Sequence, residues 1–195
     1  HGGARQVMRI GVLAVQGAFI EHEHMLRSLG VSCFEIRNRE DIAAPFDGLI
    51  LPGGESTVMG ALLRDLELLE PLRERIRQGL PVLGTCAGLI LLAEELPGGE
   101  APHLATLPAA VSRNVYGRQL GSFTAMGEVA DVGAYPLVFI RAPGIVRVGE
   151  GAQVFASLDG RPVGVRYQNQ IGVAFHPELS GNPAVHQAFL AMAKR

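Results

Sequence analysis

The chain has 195 residues, of which 48% are hydrophobic, enough to bury one substantial core. Its 17 basic and 19 acidic side chains give a net charge of −2, which argues against nucleic acid or an anionic membrane as a partner. The two cysteines, Cys33 and Cys86, form no CxxC pair, so neither a zinc site nor a disulfide framework is indicated, and we expect a cytoplasmic location.

The N-terminal segment, residues 1–7 (HGGARQV), resembles a tag remnant. We therefore expect the natural chain to begin at Met8 and to form a single domain over residues 8–195. The longest charge-free segment near Cys86, residues 80–93, is too short to span a bilayer, so we expect a soluble protein.

Strand-like apolar segments alternate with helical periods along the first half of the chain. In order, they are RIGVLAV (strand), FIEHEHMLRSLG (helix), VSCFEI and DGLILPGG (strands), STVMGALLRDLELLEPLRERIRQG (helix), PVLGT (strand) and AGLILLAEEL (helix). This alternation predicts an α/β fold with a mostly parallel sheet and helices on both faces. Pro71 is expected to open the second part of a broken helix, since proline is tolerated only in a first turn.

The pattern changes after about Pro97. Short strand-like segments with Gly, Pro and Asp turns follow, which predict an antiparallel extension of the sheet. The chain closes with NPAVHQAFLAMAKR, a helical pattern in which Asn182 can act as the cap and Pro183 fits the first turn.

Cys86 lies in GTCAG, between a short apolar strand and a leucine-rich helix. The pattern G-x-nucleophile-x-G is typical of a sharp strand-to-helix turn that holds a reactive side chain clear of the sheet. The glycines are needed because side chains there would collide with neighbouring backbone, and the start of the following helix favours a thiolate. We interpret Cys86 as a nucleophile and Cys33, alone in a strand pattern, as structural.

A nucleophilic cysteine needs a base and a group that orients the base. The segment VAFHPEL supplies both, because His176 and Glu178 are two residues apart and share one face of an extended segment. His22 and His24 point in different directions on a helix, so a solvated face is expected there rather than a metal site. His103 and His186 have no neighbours in sequence that would recruit them.

A second glycine loop, LPGGES (residues 51–56), ends the third predicted parallel strand. Ligands bind at the carboxyl ends of such strands, so this loop and Cys86 should share a crevice. Backbone N–H groups of Gly53 and Gly54, together with that of Ala87, would form an oxyanion hole. Gln16 and Gly17 end the first strand at the same edge, and we expect a docked partner to act on the glycine loop there.

PGGES, GTCAGL and FHPE, in this order, resemble the class I (triad) glutamine amidotransferases. AVQGAF, VSRNVYGRQLGSF and FIRAP are similar to the family of glutaminase subunits of pyridoxal 5′-phosphate synthases. The resemblance implies a flavodoxin-like fold and hydrolysis of L-glutamine to glutamate and ammonia without a cofactor or metal. It also implies a (β/α)8-barrel synthase subunit as the partner that uses the ammonia.

The same resemblance implies that glutamine contacts Gly53, Gly54, Glu55, Arg113 and the Ile140–Arg141 segment. Charge favours Glu55 as the partner of the substrate ammonium and Arg113 as the partner of its carboxylate. Three alternatives stay open: the glutaminase of another amidotransferase, such as imidazole glycerol phosphate synthase; a stand-alone γ-glutamyl hydrolase; and a regulatory scaffold with a relic site.

Overall fold

The computed structural model describes residues 7–113 and 121–194. Residues 1–6 of the expected tag remnant and residues 114–120 of the VSRNVYGRQLGSF motif lie outside the described part. Within it the helices are α1 (Ile20–Ser28), α2 (Ser56–Asp65), α3 (Leu69–Arg77), α4 (Ala87–Leu92) and α5 (Ala184–Ala193). The strands are β1 (Arg9–Leu13), β2 (Ser32–Ile36), β3 (Gly48–Leu51), β4 (Val82–Thr85), β5 (Ala93–Glu95), β6 (Leu107–Ser112), β7 (Ser122–Val129), β8 (Gly133–Ile140), β9 (Gly144–Val148), β10 (Gln153–Leu158), β11 (Arg161–Tyr167) and β12 (Gln170–Val173).

The main sheet of the described residues has the order β2-β1-β3-β4-β12-β11-β10-β7-β8. The first five strands pair in parallel, with β12 next to β4, and the remaining strands pair antiparallel. The parallel part has the flavodoxin-like order 2-1-3-4-5, with β12 as the fifth strand. The predicted fold class, with its antiparallel extension, is thus confirmed.

Helices cover both faces of the parallel strands. A Cβ added at Gly48 of β3 would meet the ring of Phe189 on α5. Leu51, three residues further and therefore on the opposite face, lies against Gly88 of α4. Strands β3, β4 and β12 are buried along their whole length, as expected for a sheet with two covered faces.

Local sequence signals set the helix boundaries largely as predicted. The long helical pattern breaks between α2 and α3, and Pro71 lies in the first turn of α3. At the start of α5 the side chain of Asn182 accepts a hydrogen bond from the N–H of Ala184 at 3.0 Å. In the described part of the chain, no helix combines the length and the apolar character that crossing a membrane requires.

The predicted helix after Cys86 is too long. It ends at Leu92, and the next three residues form β5, which pairs with β6. Strand β6 in turn pairs with β9, so the described residues contain a second, three-stranded sheet that the sequence did not predict. The pairing partners lie more than ten residues away, and tertiary pairing therefore overrides the local leucine-rich pattern.

Candidate active site

Cys86 occupies a strained turn between β4 and α4. Its backbone has φ +53° and ψ −106°, and its N–H donates to the carbonyl of Val173 at 2.8 Å. A Cβ on Gly88 would lie 2.0 Å from the carbonyl oxygen of Leu51, and one on Gly84 would lie 2.7 Å from that of Gly88. Only glycine fits at these two positions, because helix and strand approach each other closely here. This approach produces the sharp turn that carries Cys86.

His176 and Glu178 follow β12 and lie beside Cys86. The N–H of His176 donates to the carbonyl of Val138 at 2.8 Å, and a short 3-10 turn begins at Pro177. His176 Nδ1 is 2.8 Å from Glu178 Oε2, and both side chains are buried. The carboxylate therefore holds the proton on Nδ1 and turns the other ring nitrogen toward the thiol.

The electrostatics of His176 favour a protonated ring. Burial lowers the pKa of His176, but its hydrogen bonds with Cys86 and Glu178 and the negative charge of Glu178 outweigh burial and raise that pKa to about 10. The resting site thus holds an imidazolium between two acceptors. An imidazolium can give its proton to a leaving group without first acquiring one from water.

The glycine loop after β3 lies against these residues. A Cβ on Gly53 would be 2.7 Å from His176 Cε1 and 3.6 Å from the Cβ of Cys86. The Gly53 carbonyl accepts a hydrogen bond from the N–H of Ala18 at 3.0 Å. The loop therefore packs against both His176 and Cys86.

The loop between β1 and α1 holds the other side of this glycine loop. Gln16 and Gly17 were expected to end the first strand, but β1 ends at Leu13 and these two residues follow it. The side-chain oxygen of Gln16 accepts a hydrogen bond from the N–H of Glu55 at 2.9 Å, and a Cβ on Gly54 would lie 2.5 Å from that oxygen. Gly17 has φ +99°, and a Cβ there would lie 2.2 Å from the carbonyl oxygen of Gly53. The glycine loop is thus fixed by backbone and amide contacts from residues 16–18.

A pocket of about 390 Å³ opens over Cys86. It is lined by Gln16, Gly54, Glu55, Ser56, Cys86, Ala87, Ile90, Arg113, Arg141 and Pro143. Seven of these were predicted as site residues, and Ser56, Ile90 and Pro143 were missed. Each had a sequence signal: Ser56 belongs to PGGES, Pro143 ends FIRAP, and Ile90 follows Cys86 by four residues, about one helical turn.

Ile140 was also predicted, and it lies next to Arg141 of the pocket lining. The carbonyl of Ile140 is 3.9 Å from Cys86 Sγ, at the end of β8. Arg141 has φ +45°, an uncommon conformation for a non-glycine residue, and its N–H donates to the carbonyl of Gly121 at 2.7 Å. The backbone carbonyl of Ile140 therefore faces the thiol, and Arg141 lines the pocket.

Arg113 is held by two carboxylates. Its Nε and one terminal nitrogen contact the two oxygens of Glu100 at 3.0 and 2.5 Å, and its other terminal nitrogen lies 3.4 Å from Glu55. Glu100, which lies 13 residues before Arg113, was not predicted as a site residue. This bidentate pair fixes the guanidinium beside the pocket and leaves one edge directed at Glu55.

The expectation that His22 lies on a solvated face is wrong. His22 is fully buried, whereas His24 is exposed, since two residues on a helix point in different directions. His22 contacts His186, which is also fully buried, so the terminal helix does supply a neighbour. Cys33 is half-buried on β2, and burial raises the pKa of its thiol.

Among the described residues, no group of three or more His, Cys, Asp or Glu side chains has a geometry that could hold a metal ion. The groups that meet at Cys86 are a thiol, an imidazole, a carboxylate and backbone amides. These groups suit acyl transfer through a covalent thioester.

Comparison with known proteins agrees with this chemistry. The chain is 61% identical over 183 residues to the pyridoxal 5′-phosphate synthase subunit PdxT of Desulfitobacterium hafniense (strain Y51), covering 94% of this chain and 92% of the relative. It is 57% identical over 185 residues to the subunit of the same name from Methanocorpusculum labreanum, covering 95% and 97% of the two chains.

A solved structure of a glutamine amidotransferase has a TM-score of 0.90 and 44% identity, and it covers 95% of this chain and 99% of its own. The fold is also shared with the structure of PurLQS from Thermotoga maritima, with a TM-score of 0.70 at 18% identity, covering 97% of this chain and 100% of that chain. The model of the SNO glutamine amidotransferase family matches residues 12–195. The chain therefore belongs to the SNO glutamine amidotransferase family.

Proposed function

We propose that this chain is the glutaminase subunit of a pyridoxal 5′-phosphate synthase and hydrolyses L-glutamine to L-glutamate and ammonia. The observation that carries the proposal is the contact of Cys86 with the His176–Glu178 pair beneath a pocket with both an acidic and a basic side chain. The relatives named as subunits of that synthase support the choice of pathway. The Cys86 thiol must stay reduced, which suits a cytoplasmic location.

The proposed reaction begins with attack of the Cys86 thiolate on the side-chain amide carbon of glutamine. The N–H groups of Gly54 and Ala87 stabilise the oxyanion of the tetrahedral intermediate. His176, as an imidazolium, protonates the amide nitrogen, and ammonia leaves with its electron pair. A γ-glutamyl thioester on Cys86 and a neutral His176 remain.

Hydrolysis of the thioester uses the same groups in reverse. His176 takes a proton from water, the resulting hydroxide attacks the thioester carbon, and the same N–H groups stabilise the second oxyanion. Collapse of this intermediate releases glutamate and the Cys86 thiolate. His176 is again an imidazolium, so the site is ready for another cycle. Glu178 holds the ring in one orientation through both changes of charge.

Recognition of glutamine is assigned to charges at the pocket entrance. Glu55 would bind the α-ammonium and Arg113 the α-carboxylate of glutamine. The contact between Glu55 and Arg113, at 3.4 Å, would be partly replaced by these contacts with the substrate. The pair with Glu100 would keep Arg113 in place during that exchange. The backbone of Ile140 and Arg141, together with Gly53 and Gly54, would contact the side-chain end of glutamine.

The ammonia is used by a separate (β/α)8-barrel synthase subunit, and docking of that subunit activates the glutaminase. The contact of Gln16 with the Glu55 N–H, and of Gly17 with the Gly53 carbonyl, supports a switch at this edge of the sheet. Glycine peptides in the loop can change orientation at low cost. A hundredfold activation requires a shift of about 2.7 kcal/mol in favour of the competent loop.

The activity is tested by glutamate release from glutamine by the chain together with its synthase subunit, after co-purification of the two. Cys86→Ala should abolish glutamate release, while added ammonium should restore cofactor synthesis in the complex. His176→Asn should be nearly as damaging, and Glu178→Gln should cost less because an amide still orients the ring. Activity of Cys86→Ala within tenfold of the parent would exclude the proposed nucleophile.

The switch is tested by comparing turnover with and without the synthase subunit at saturating glutamine. We expect strong stimulation of the parent, and loss of that stimulation in Gln16→Ala. Equal turnover of the parent in both conditions would contradict activation by docking. A stimulated Gln16→Ala would move the switch away from this edge.

A further inference from the structure

The carboxylate of Glu178 is only half engaged by the triad. Its Oε2 contacts His176, while its Oε1 has no hydrogen-bond partner among the described residues and lies 3.5 Å from His22 Nε2. The Glu178 side chain is 1% exposed, so water does not reach this oxygen freely. A buried carboxylate oxygen requires a donor, and the nearest candidate is an imidazole of α1.

His22 is fixed from two further directions. Its Nδ1 is 2.9 Å from Nε2 of His186 on α5, and its Nε2 is 3.2 Å from the hydroxyl of Thr85, the residue that precedes Cys86. All three side chains are fully buried. Elements from the beginning, the middle and the end of the chain therefore meet directly behind the triad.

Both imidazoles of this pair are neutral. Burial lowers the pKa of His22 well below its usual range, and the nearby His186 and His176 lower it further. Burial also lowers the pKa of His186 to about 4. A neutral imidazole has one donor and one acceptor, so only one of the two rings can supply the proton in their contact.

The surroundings decide which ring donates. If His186 donates from Nε2, His22 accepts at Nδ1 and carries its own proton on Nε2, facing Glu178 and Thr85. His186 then has a lone pair, not an N–H, at Nδ1, an atom without a partner in the described residues. The opposite arrangement would set the lone pair of His22 Nε2 against a carboxylate oxygen and bury an unpaired N–H, which is unfavourable.

We propose that His22 is a positioning residue of the glutaminase reaction, which donates its Nε2 proton to Glu178 Oε1 and thereby fixes the carboxylate that orients His176. The inference rests on the proposed function and adds a residue to it. The torsion that rotates a glutamate carboxylate is broad, so one contact at Oε2 does not fix its plane. A second donor on Oε1 keeps Oε2 on His176 while that ring alternates between charged and neutral forms. His186 holds His22 at Nδ1, and the Thr85 hydroxyl shares the Nε2 proton with Glu178 as a second acceptor.

The experiment compares substitutions that remove or keep the donor. His22→Leu removes it, whereas His22→Gln places an amide N–H₂ near the position of Nε2. His24→Leu, on the exposed side of the same helix, is the matched control. We measure kcat and KM for glutamine with the synthase subunit present, and thermal unfolding of each variant.

We expect His22→Leu to lower kcat by about 10- to 100-fold, because the reacting groups are misplaced, with KM within about threefold of the parent. His22→Gln should recover most of the loss, and His24→Leu should match the parent. In a Glu178→Gln background, adding His22→Leu should lower kcat by less than about threefold. The two losses are not additive, because His22 acts through Glu178.

An unchanged kcat in His22→Leu would overturn the proposal. Equal losses of kcat from His22→Leu in the parent and in the Glu178→Gln background would also overturn it. If His22→Leu does not fold, His22→Asn replaces it, because the shorter asparagine amide cannot reach Glu178. In that case, equal kcat values for His22→Asn and His22→Gln would overturn the proposal. A parent complex without glutaminase activity would instead overturn the proposed function itself.

Discussion

A single methyl group at Gly53 tests the arrangement of the triad. In Gly53→Ala the new Cβ would lie 2.7 Å from His176 Cε1, where ordinary contacts are 3.4 to 4 Å, and 3.6 Å from the Cβ of Cys86. The imidazole must therefore retreat by about 1 Å. The ring is buried and held by Glu178 at 2.8 Å, so it cannot retreat without changing that contact or its alignment with the thiol.

The expected consequence is a loss of catalysis with little loss of stability. A misplacement of about 1 Å lowers turnover by about 100-fold, which corresponds to about 2.7 kcal/mol in the activation free energy. The free energy of unfolding should change by less than about 1 kcal/mol, because alanine in a loop restricts the unfolded chain and partly offsets the local strain.

The assay couples glutamate release to a dehydrogenase, with the synthase subunit present and glutamine saturating, and urea unfolding reports stability. Gly121→Ala is the control, because a Cβ there would meet no atom of residues 7–113 and 121–194 within 4 Å. It should retain turnover within about twofold, as expected of a surface change. Turnover of Gly53→Ala within threefold of the parent would refute the contact between the glycine loop and the imidazole.

Three other perturbations act on the buried histidines, the pocket entrance and the turn at the nucleophile. The folded-state pKa of His186, about 4, lies below the unfolded value, so its neutral ring stabilises the fold above about pH 6.5, and this contribution is lost as the pH falls toward 4. When the pH is lowered from about 7 to about 5, the unfolding free energy of the parent should fall by about 2 kcal/mol more than that of His186→Leu. Equal falls in the two proteins, measured by urea unfolding at each pH, would contradict this prediction. Arg113→Gln should raise KM for glutamine by about tenfold or more with a smaller change in kcat, since a charge-assisted hydrogen bond contributes about 1.5 to 3 kcal/mol; an unchanged KM would remove Arg113 from the substrate site. Gly88→Ala should destabilise the fold by about 3 kcal/mol or more, because its Cβ would lie 2.0 Å from a backbone carbonyl of β3, and a parent-like melting temperature would contradict that approach.

Local signals in the sequence predicted most elements of the main sheet and the residues of the candidate site. The apolar periods predicted β1, α1 and the broken helix, and Pro71 marked the start of its second part. Glycines at fixed offsets identified the turn at Cys86, because that close approach of backbones leaves no space for a Cβ. Such signals depend only on residues close together in the chain, so they can be recognised in a single sequence.

Long-range packing decided which residues meet. Cys86 and His176 are 90 positions apart in the chain, and only the parallel pairing of β4 with β12 brings them together. Neither the burial of His22 nor the pairing of Arg113 with Glu100 has a local signal, since each depends on elements distant in sequence. The second sheet was missed for the same reason: strand pairing is a property of two segments, whereas a helix or a turn is encoded within one.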